Sequence, residues 1–148
     1  MAKSFNQKLK ILYLYQLLRN KTDNNHVVSM QEIIEYLDSY GIKAERKSIY
    51  DDIEALRYYG CDIEIRKDKP RGYYLASREF ELPELKLLAD AVQASRFLSE
   101  KKSNELISKI ESLTSIYEAK ELARQVTVAG QVKTMNESIY YIVDQLHK

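Results

Sequence analysis

Arg46, Lys47, Ser48, Tyr50 and Asp51 lie within one short stretch, and Arg66, Lys67, Lys69 and Arg71 crowd a second one downstream. Clustered guanidinium and ammonium groups donate to phosphate oxygens, and Arg or Lys can also donate to guanine O6 and N7. Tyr50 could reach a phosphate or a thymine methyl. Asp51 could accept from cytosine N4 or orient a neighbouring Arg. The bland alternative is that these are solvated charges, with Arg46 and Lys47 pairing to Asp51 and Glu54. Enzyme chemistry is poorly served, because the chain has no Gly-rich phosphate loop, no nucleophile elbow and no His–Cys–Asp/Glu cluster. Asp51 and Asp52 are adjacent and so splay apart on a helix. His26, in a polar loop, and His147, near the end of the chain, are expected to be solvated. We expect no catalytic residue, no metal site and no cofactor.

The elements that must position these residues follow from periodicity. Ile49, Ile53 and Leu56 recur at i, i+4 and i+7, which predicts a helix over about 45–59 with one buried stripe. Gly60 is placed to end it in a left-handed conformation. Cys61, Ile63 and Ile65 then alternate with Asp62 and Glu64, as in a strand with one wet face. Arg66 to Gly72 reads as a charged turn broken by Pro70 and Gly72, and Tyr73-Tyr74-Leu75 as the returning strand. One of the two tyrosines is expected in the core beneath the turn and the other at the surface. Cys61 is expected to be a small buried hydrophobe; a redox-sensing thiol would need an exposed, low-pKa site.

Upstream, residues 6–20 predict a helix with Ile11, Leu14, Tyr15 and Leu18 on its apolar face, followed by a polar loop to Val28. Ser29-Met-Gln-Glu32 is a capping box, and Met30, Ile33, Ile34 and Leu37 predict a helix ending near Tyr40-Gly41. About four residues then link it to the next helix, a length suited to a helix-turn-helix corner. Downstream, Pro83 suits a first helical turn, and Leu85, Leu88, Ala89 and Val92 continue that helix toward Leu98. Ser99 can cap another, with Leu106, Ile110, Leu113 and Tyr117 as its stripe. Glu118 to Arg124 either extends it or forms a separate turn. Val126, Val128, Gly130 and Val132 alternate as in an extended piece. Thr134-Met-Asn-Glu137 is a second capping box, ahead of Ile139, Ile142, Val143 and Leu146.

At 148 residues, 45% hydrophobic and 30% charged, the chain has the balance of a folded protein of one domain or two small ones. Its single cysteine excludes an intramolecular disulfide. We expect no signal peptide and no membrane span, and hence a cytoplasmic location. The net charge is only +1, but it is unevenly spread. Residues 1–22 hold five Lys or Arg and no acid, residues 23–40 four acids and no base, and the 66–71 turn four bases against one Asp. Residues 77–148 are balanced. The expected fold class is therefore mainly α with a small β-hairpin. A winged helix-turn-helix domain over 1–78 would be followed by a helical extension over 79–148.

The segment Ala44-Glu45-Arg46-Lys47-Ser48-Ile49-Tyr50-Asp51-Asp52-Ile53-Glu54-Ala55-Leu56 resembles the recognition helix of winged helix-turn-helix transcriptional regulators that carry a C-terminal WYL domain. Gly60, the Arg71-Gly72-Tyr73-Tyr74-Leu75 strand and the Glu81-Leu82-Pro83-Glu84-Leu85 run are similar too. Two positions depart from the family's pattern: Glu45 stands where a capping Ser is usual, and Asp51 where Arg is usual. The WYL domain itself is expected to be absent from this chain, so an effector, unknown here, would bind outside it.

The resemblance implies a sequence-specific regulator of transcription that binds duplex DNA. The recognition helix would lie in the major groove and the wing, 66–72, on the backbone. About five phosphate contacts would give log K a salt slope near −4 to −5. The helices over 83–147 would supply a homodimer interface that spaces two recognition helices, or else would pack only on one another. The alternative is a winged-helix protein–protein interaction module without DNA binding, which the near-neutral charge and acidic second helix also fit. RNA binding has less support, with Tyr50 and Tyr58 the only candidate stacking residues.

Overall fold

The computed structural model describes residues 5–128 together with Ile142, Gln145 and Leu146. The chain divides into two compact units, Met1–Glu79 and Phe80–Lys148. Among the described residues it is mainly helical, with one two-stranded antiparallel hairpin. No helix among them is long and apolar enough to cross a membrane.

In the first unit a 3-10 segment, Phe5–Leu9, leads into α1, Lys10–Lys21. The single helix expected over 6–20 is thus two pieces. No side chain caps α1 and no acid lies in its first turn, so nothing local favours starting the α-helix earlier. α1 buries Leu14, Leu17 and Leu18, leaving Ile11 and Tyr15 at the margin of the core. Thr22 follows, fully buried, donating to Leu18 O and accepting from Leu75 N–H at 2.9 Å. His26 is not simply solvated as expected. Its Nδ1 lies 2.8 Å from the buried Asp23 carboxylate, which also accepts from Asn25 N–H at 2.8 Å. The loop turns tightly, and Asp23 gathers the groups that a turn leaves without partners.

α2, Met30–Ser39, begins at the expected capping box: Ser29 Oγ accepts from Glu32 N–H, and Glu32 accepts from Ser29 N–H at 2.6 Å. Met30, Ile33 and Leu37 are buried. Past its end, Ile42 N–H reaches back to Leu37 O at 3.0 Å and the Ile42 side chain is fully buried, so a short corner carries the chain into α3, Arg46–Tyr59. The stripe Ile49, Ile53 and Leu56 packs inward as its spacing predicts. Gly60 ends α3 at φ +123°, where a Cβ would be strained, and Cys61 N–H bonds Leu56 O at 2.9 Å.

β1, Ile63–Arg66, pairs with β2, Gly72–Leu75, in the register Ile63↔Leu75, Glu64↔Tyr74, Ile65↔Tyr73 and Arg66↔Gly72. Ile63, Tyr73 and Leu75 close the core, and Tyr74 lies nearer the surface. Ile65 and Cys61 differ from expectation: Ile65 is 46% exposed and Cys61 only half-buried. The hairpin runs past the end of the core, so Ile65, near its tip, has the right alternation but little beneath it. β2 has a second partner that alternation does not reveal, because Val28 and Tyr73 exchange backbone hydrogen bonds of 2.9 and 2.8 Å. That close approach explains Gly72, where a Cβ would lie 2.4 Å from Val28 O.

In the second unit α4, Leu82–Ala94, starts at Glu81 in a capping box with Glu84, and Pro83 sits in its first turn. It stops at Ala94 rather than running to Leu98, which is buried in the turn before α5, Glu100–Glu111. Ser99 caps α5 by accepting from Lys102 N–H at 3.1 Å. The expected stripe Leu106, Ile110, Leu113 and Tyr117 does not lie on one helix. Ser115 accepts from Glu118 N–H at 3.1 Å and starts a new helix, α6, Ile116–Val128, so Tyr117 turns outward and Ile107 becomes the buried apolar residue of α5, beside buried Ser103. Val126 and Val128 are helical, not extended. Val126 follows the fully buried Leu122 at i+4 and packs on the Leu85–Ala89–Leu122 cluster, so helical spacing prevails over alternation. Of the second capping box and the apolar positions after it, only Ile142 and Leu146 fall among the described residues. Both are helical and exposed.

Candidate nucleic-acid interface

With Ile49, Ile53 and Leu56 turned inward, about 100° per residue fixes the rest of α3. Lys47, Asp51, Glu54 and Tyr58 form its outermost line. Arg46, Tyr50 and Arg57 flank the buried stripe on one side, and Ser48 and Asp52 on the other. The start of α3 has no side-chain cap and no acid in its first turn, so its first N–H groups are left to solvent or a ligand. Arg46 and Lys47 are exposed there, adding full positive charge to the positive end of the helix dipole.

Arg46 and Tyr50 form one wall of an open groove of about 630 Å³. Ile65, Arg66, Lys67, Arg71, Gly72 and Tyr73 of the hairpin form the opposite wall, and Ser29 and Met30 at the start of α2 close one end. The structure therefore brings the two basic stretches of the sequence to one cleft. Burial, followed by the neighbouring Tyr50, raises the pKa of the Tyr73 phenol at its floor. Tyr50 is 46% exposed, so its ring offers surface to a ligand, while its hydroxyl lies within hydrogen-bonding reach of the Tyr73 phenol.

The expected contact residues do not all have the same freedom. Arg46, Lys47, Lys67, Lys69 and Arg71 are exposed and form no ion pair among the described residues, so the alternative in which Arg46 and Lys47 pair with Asp51 and Glu54 is not what the fold adopts. Lys47 and Lys69 stand outside the groove lining. Asp51 is exposed on the outer line. Ser48 is half-buried, and its hydroxyl oxygen accepts from Lys10 Nζ. Arg66 is half-buried as well, donating to Asn24 O at 2.5 Å and resting 5.9 Å from the Tyr74 ring centroid. Arg66 thus ties the hairpin to the loop after α1. Arg57 binds Glu54 and donates from Nε to Ile63 O at 2.9 Å, tying the last turn of α3 to β1.

Two residues were not singled out from sequence. Lys10 looked like one more cation of a basic N-terminal arm, yet it is 6% exposed. Ile65, expected on the apolar side of its strand, instead offers apolar surface to the groove. Tyr58 and Tyr59 are 96% and 86% exposed, so the core claims neither. No family model, curated protein or solved structure matches the chain. Among the described residues no group of His, Cys, Asp or Glu could hold a metal ion.

Proposed function

We propose that the chain is a sequence-specific transcriptional regulator that binds duplex DNA, with Met1–Glu79 acting as a winged helix-turn-helix. In this reading α2 and α3 are the helix-turn-helix, α3 enters the major groove, and the 66–72 tip of the hairpin is the wing on the backbone. The observation that carries it is the groove where three exposed, unpaired cations meet, Arg46 from the start of α3 and Lys67 and Arg71 from the hairpin, with Lys47 and Lys69 exposed beyond its lining. Arg46, beside Tyr50, is placed for base edges. Lys47, Lys67, Lys69 and Arg71 are placed for phosphates, while Arg66 serves the fold.

Regulation is by occupancy: a protein bound at an operator blocks or recruits polymerase, and no chemical step is needed. The Phe80–Lys148 unit supplies a homodimer contact through the exposed face of α4, where Leu87 is 71% exposed and Ala91 and Ala94 are exposed beside it. Effector sensing is not assigned to this chain.

The test is fluorescence anisotropy of labelled duplex DNA over a salt series, for the protein and for Arg46→Ala/Lys47→Ala. Four phosphate contacts give a slope of log K on log salt near about −3.6. The double variant is expected to bind roughly tenfold or more weakly. Absence of binding at low salt would sink the reading. A protein-interaction module is the second reading, favoured by the exposed Glu32, Glu35 and Asp38 along α2. It predicts a partner whose binding is indifferent to Arg46, Lys47 and the wing.

A further inference from the structure

We infer that buried Lys10 is a positioning residue that fixes the rotation of α3 about its own axis, and so selects which side chains the helix presents to DNA. The inference rests on the DNA reading above. In sequence Lys10 belongs to the basic stretch before residue 22. In the fold it is 6% exposed, its Nζ donates to Ser48 Oγ, and it lies 2.6 Å from Asp52 Oδ2. That carboxylate oxygen is buried and accepts no hydrogen bond, so the lysine charge is what compensates it.

Ser48 and Asp52 are one turn apart and stack along a single flank of α3. The opposite flank is held by Arg57 Nε on Ile63 O at 2.9 Å. Between the two ties lies the stripe Ile49, Ile53 and Leu56, whose attraction to the core is non-directional and tolerates a turn of the cylinder. A cleft of about 440 Å³ lined by Gln7, Lys8, Lys10, Ile11 and Asp52 adjoins the pair. A rotation of roughly 20° carries an atom about 6 Å from the helix axis through roughly 2 Å. Hydrogen bonds to base edges need donor–acceptor distances near 2.7–3.2 Å in typical cases, so about 2 Å breaks them. Contacts to phosphates by long, mobile lysines survive such a shift.

A buried ion pair is a weak device for stability, since a well-packed apolar pair often does as well or better. That separates positioning from stability. Lys10→Met alone would strand Asp52, so the informative variant is Lys10→Met/Asp52→Leu, which removes both charges and keeps the volume. The probes are the tightest duplex that the natural chain recovers from a randomised pool, and the same duplex with one base pair changed. The natural chain is expected to favour the first by about tenfold or more.

The double variant is expected to melt no lower, to keep its salt slope, and to bind the selected duplex within about threefold of the natural chain on mismatched DNA, with discrimination below about twofold. Discrimination equal to the natural chain's would overturn the inference. So would a salt slope reduced by about one, because Lys10 would then be a phosphate contact. Tyr50 and Tyr73 interact through their side chains, and this contact is read by the nuclear Overhauser effect in the same variant without DNA. Its persistence at full strength would also overturn the inference. Should the natural chain recover no duplex, the DNA reading fails, and the ring contact still decides whether Lys10 sets the rotation.

Discussion

The two units are built from amphipathic helices of similar length, yet they differ in what those helices cover. In Met1–Glu79 the stripes of α1, α2 and α3 meet the hairpin in one continuous cluster that includes Leu14, Ile33, Leu37, Ile53 and Leu75. In Phe80–Lys148, among the described residues, the cluster consists of Leu85, Ala89 and Leu122, with Leu98 and Ile107 buried apart from it. The buried polar groups do not follow this difference: among the described residues each unit has one buried side-chain oxygen without a hydrogen bond, Asp52 Oδ2 in the first and Ser103 Oγ in the second. Leu87, Phe97 and Ile116 meanwhile face outward. An apolar stripe reports that a helix has a side to cover. It does not report that the same chain covers it.

The largest effect that could break this contrast is a core truncation. Ile53→Ala removes buried methyl groups from the centre of the first cluster and is expected to cost about 2–5 kcal/mol, read by urea melts. Leu87→Ala, at a side chain 71% exposed, is expected to stay within about 0.5 kcal/mol at low protein concentration. Equal losses would mean that the second unit is as fully packed around Leu87 as the first is around Ile53.

The next effect concerns association rather than stability. On the homodimer reading, Leu87→Glu places a charge in a face meant for a second copy, and sedimentation at tens of micromolar is expected to show a dimer for the natural chain and a monomer for the variant. A monomer for both would leave the outward apolar face of α4 without the role proposed for it. The DNA reading would then need a single-site mode.

What could be read from sequence divides along the same line. Helices announced by several signals at once were legible: α2 has a capping box, an apolar period and a terminating glycine, and α3 has its stripe and Gly60. The hairpin was legible from the change of period after Gly60. Single-residue events were not. Val28 pairs with Tyr73 as one residue with no strand of its own, and Ser115 starts α6 inside what periodicity read as a continuing stripe. Charges were least legible of all. Lys10, Arg57 and Arg66 have the same chemistry as Arg46, Lys67 and Arg71, and only the fold shows that the first three are tied to Asp52, Ile63 O and Asn24 O. A basic run counts charges; it does not count those free to meet a phosphate.

The smallest effect sharpens the comparison through a single carboxylate in the second unit. Burial raises the pKa of Glu111 above its ordinary 4.5. The folded unit therefore holds this proton more tightly than the unfolded chain does. Below the ordinary carboxylate range both states are protonated and Glu111 imposes no penalty. As pH rises through that range toward the raised folded value, the unfolded state ionises first, and the unit loses stability. Glu111→Gln keeps the shape and removes the titration. It is expected to raise the neutral-pH melting temperature by under about 3 °C and to flatten its fall as pH rises above the ordinary carboxylate range, with no change below that range. An unchanged pH profile would mean that Glu111 lies in water rather than against the apolar side of α5.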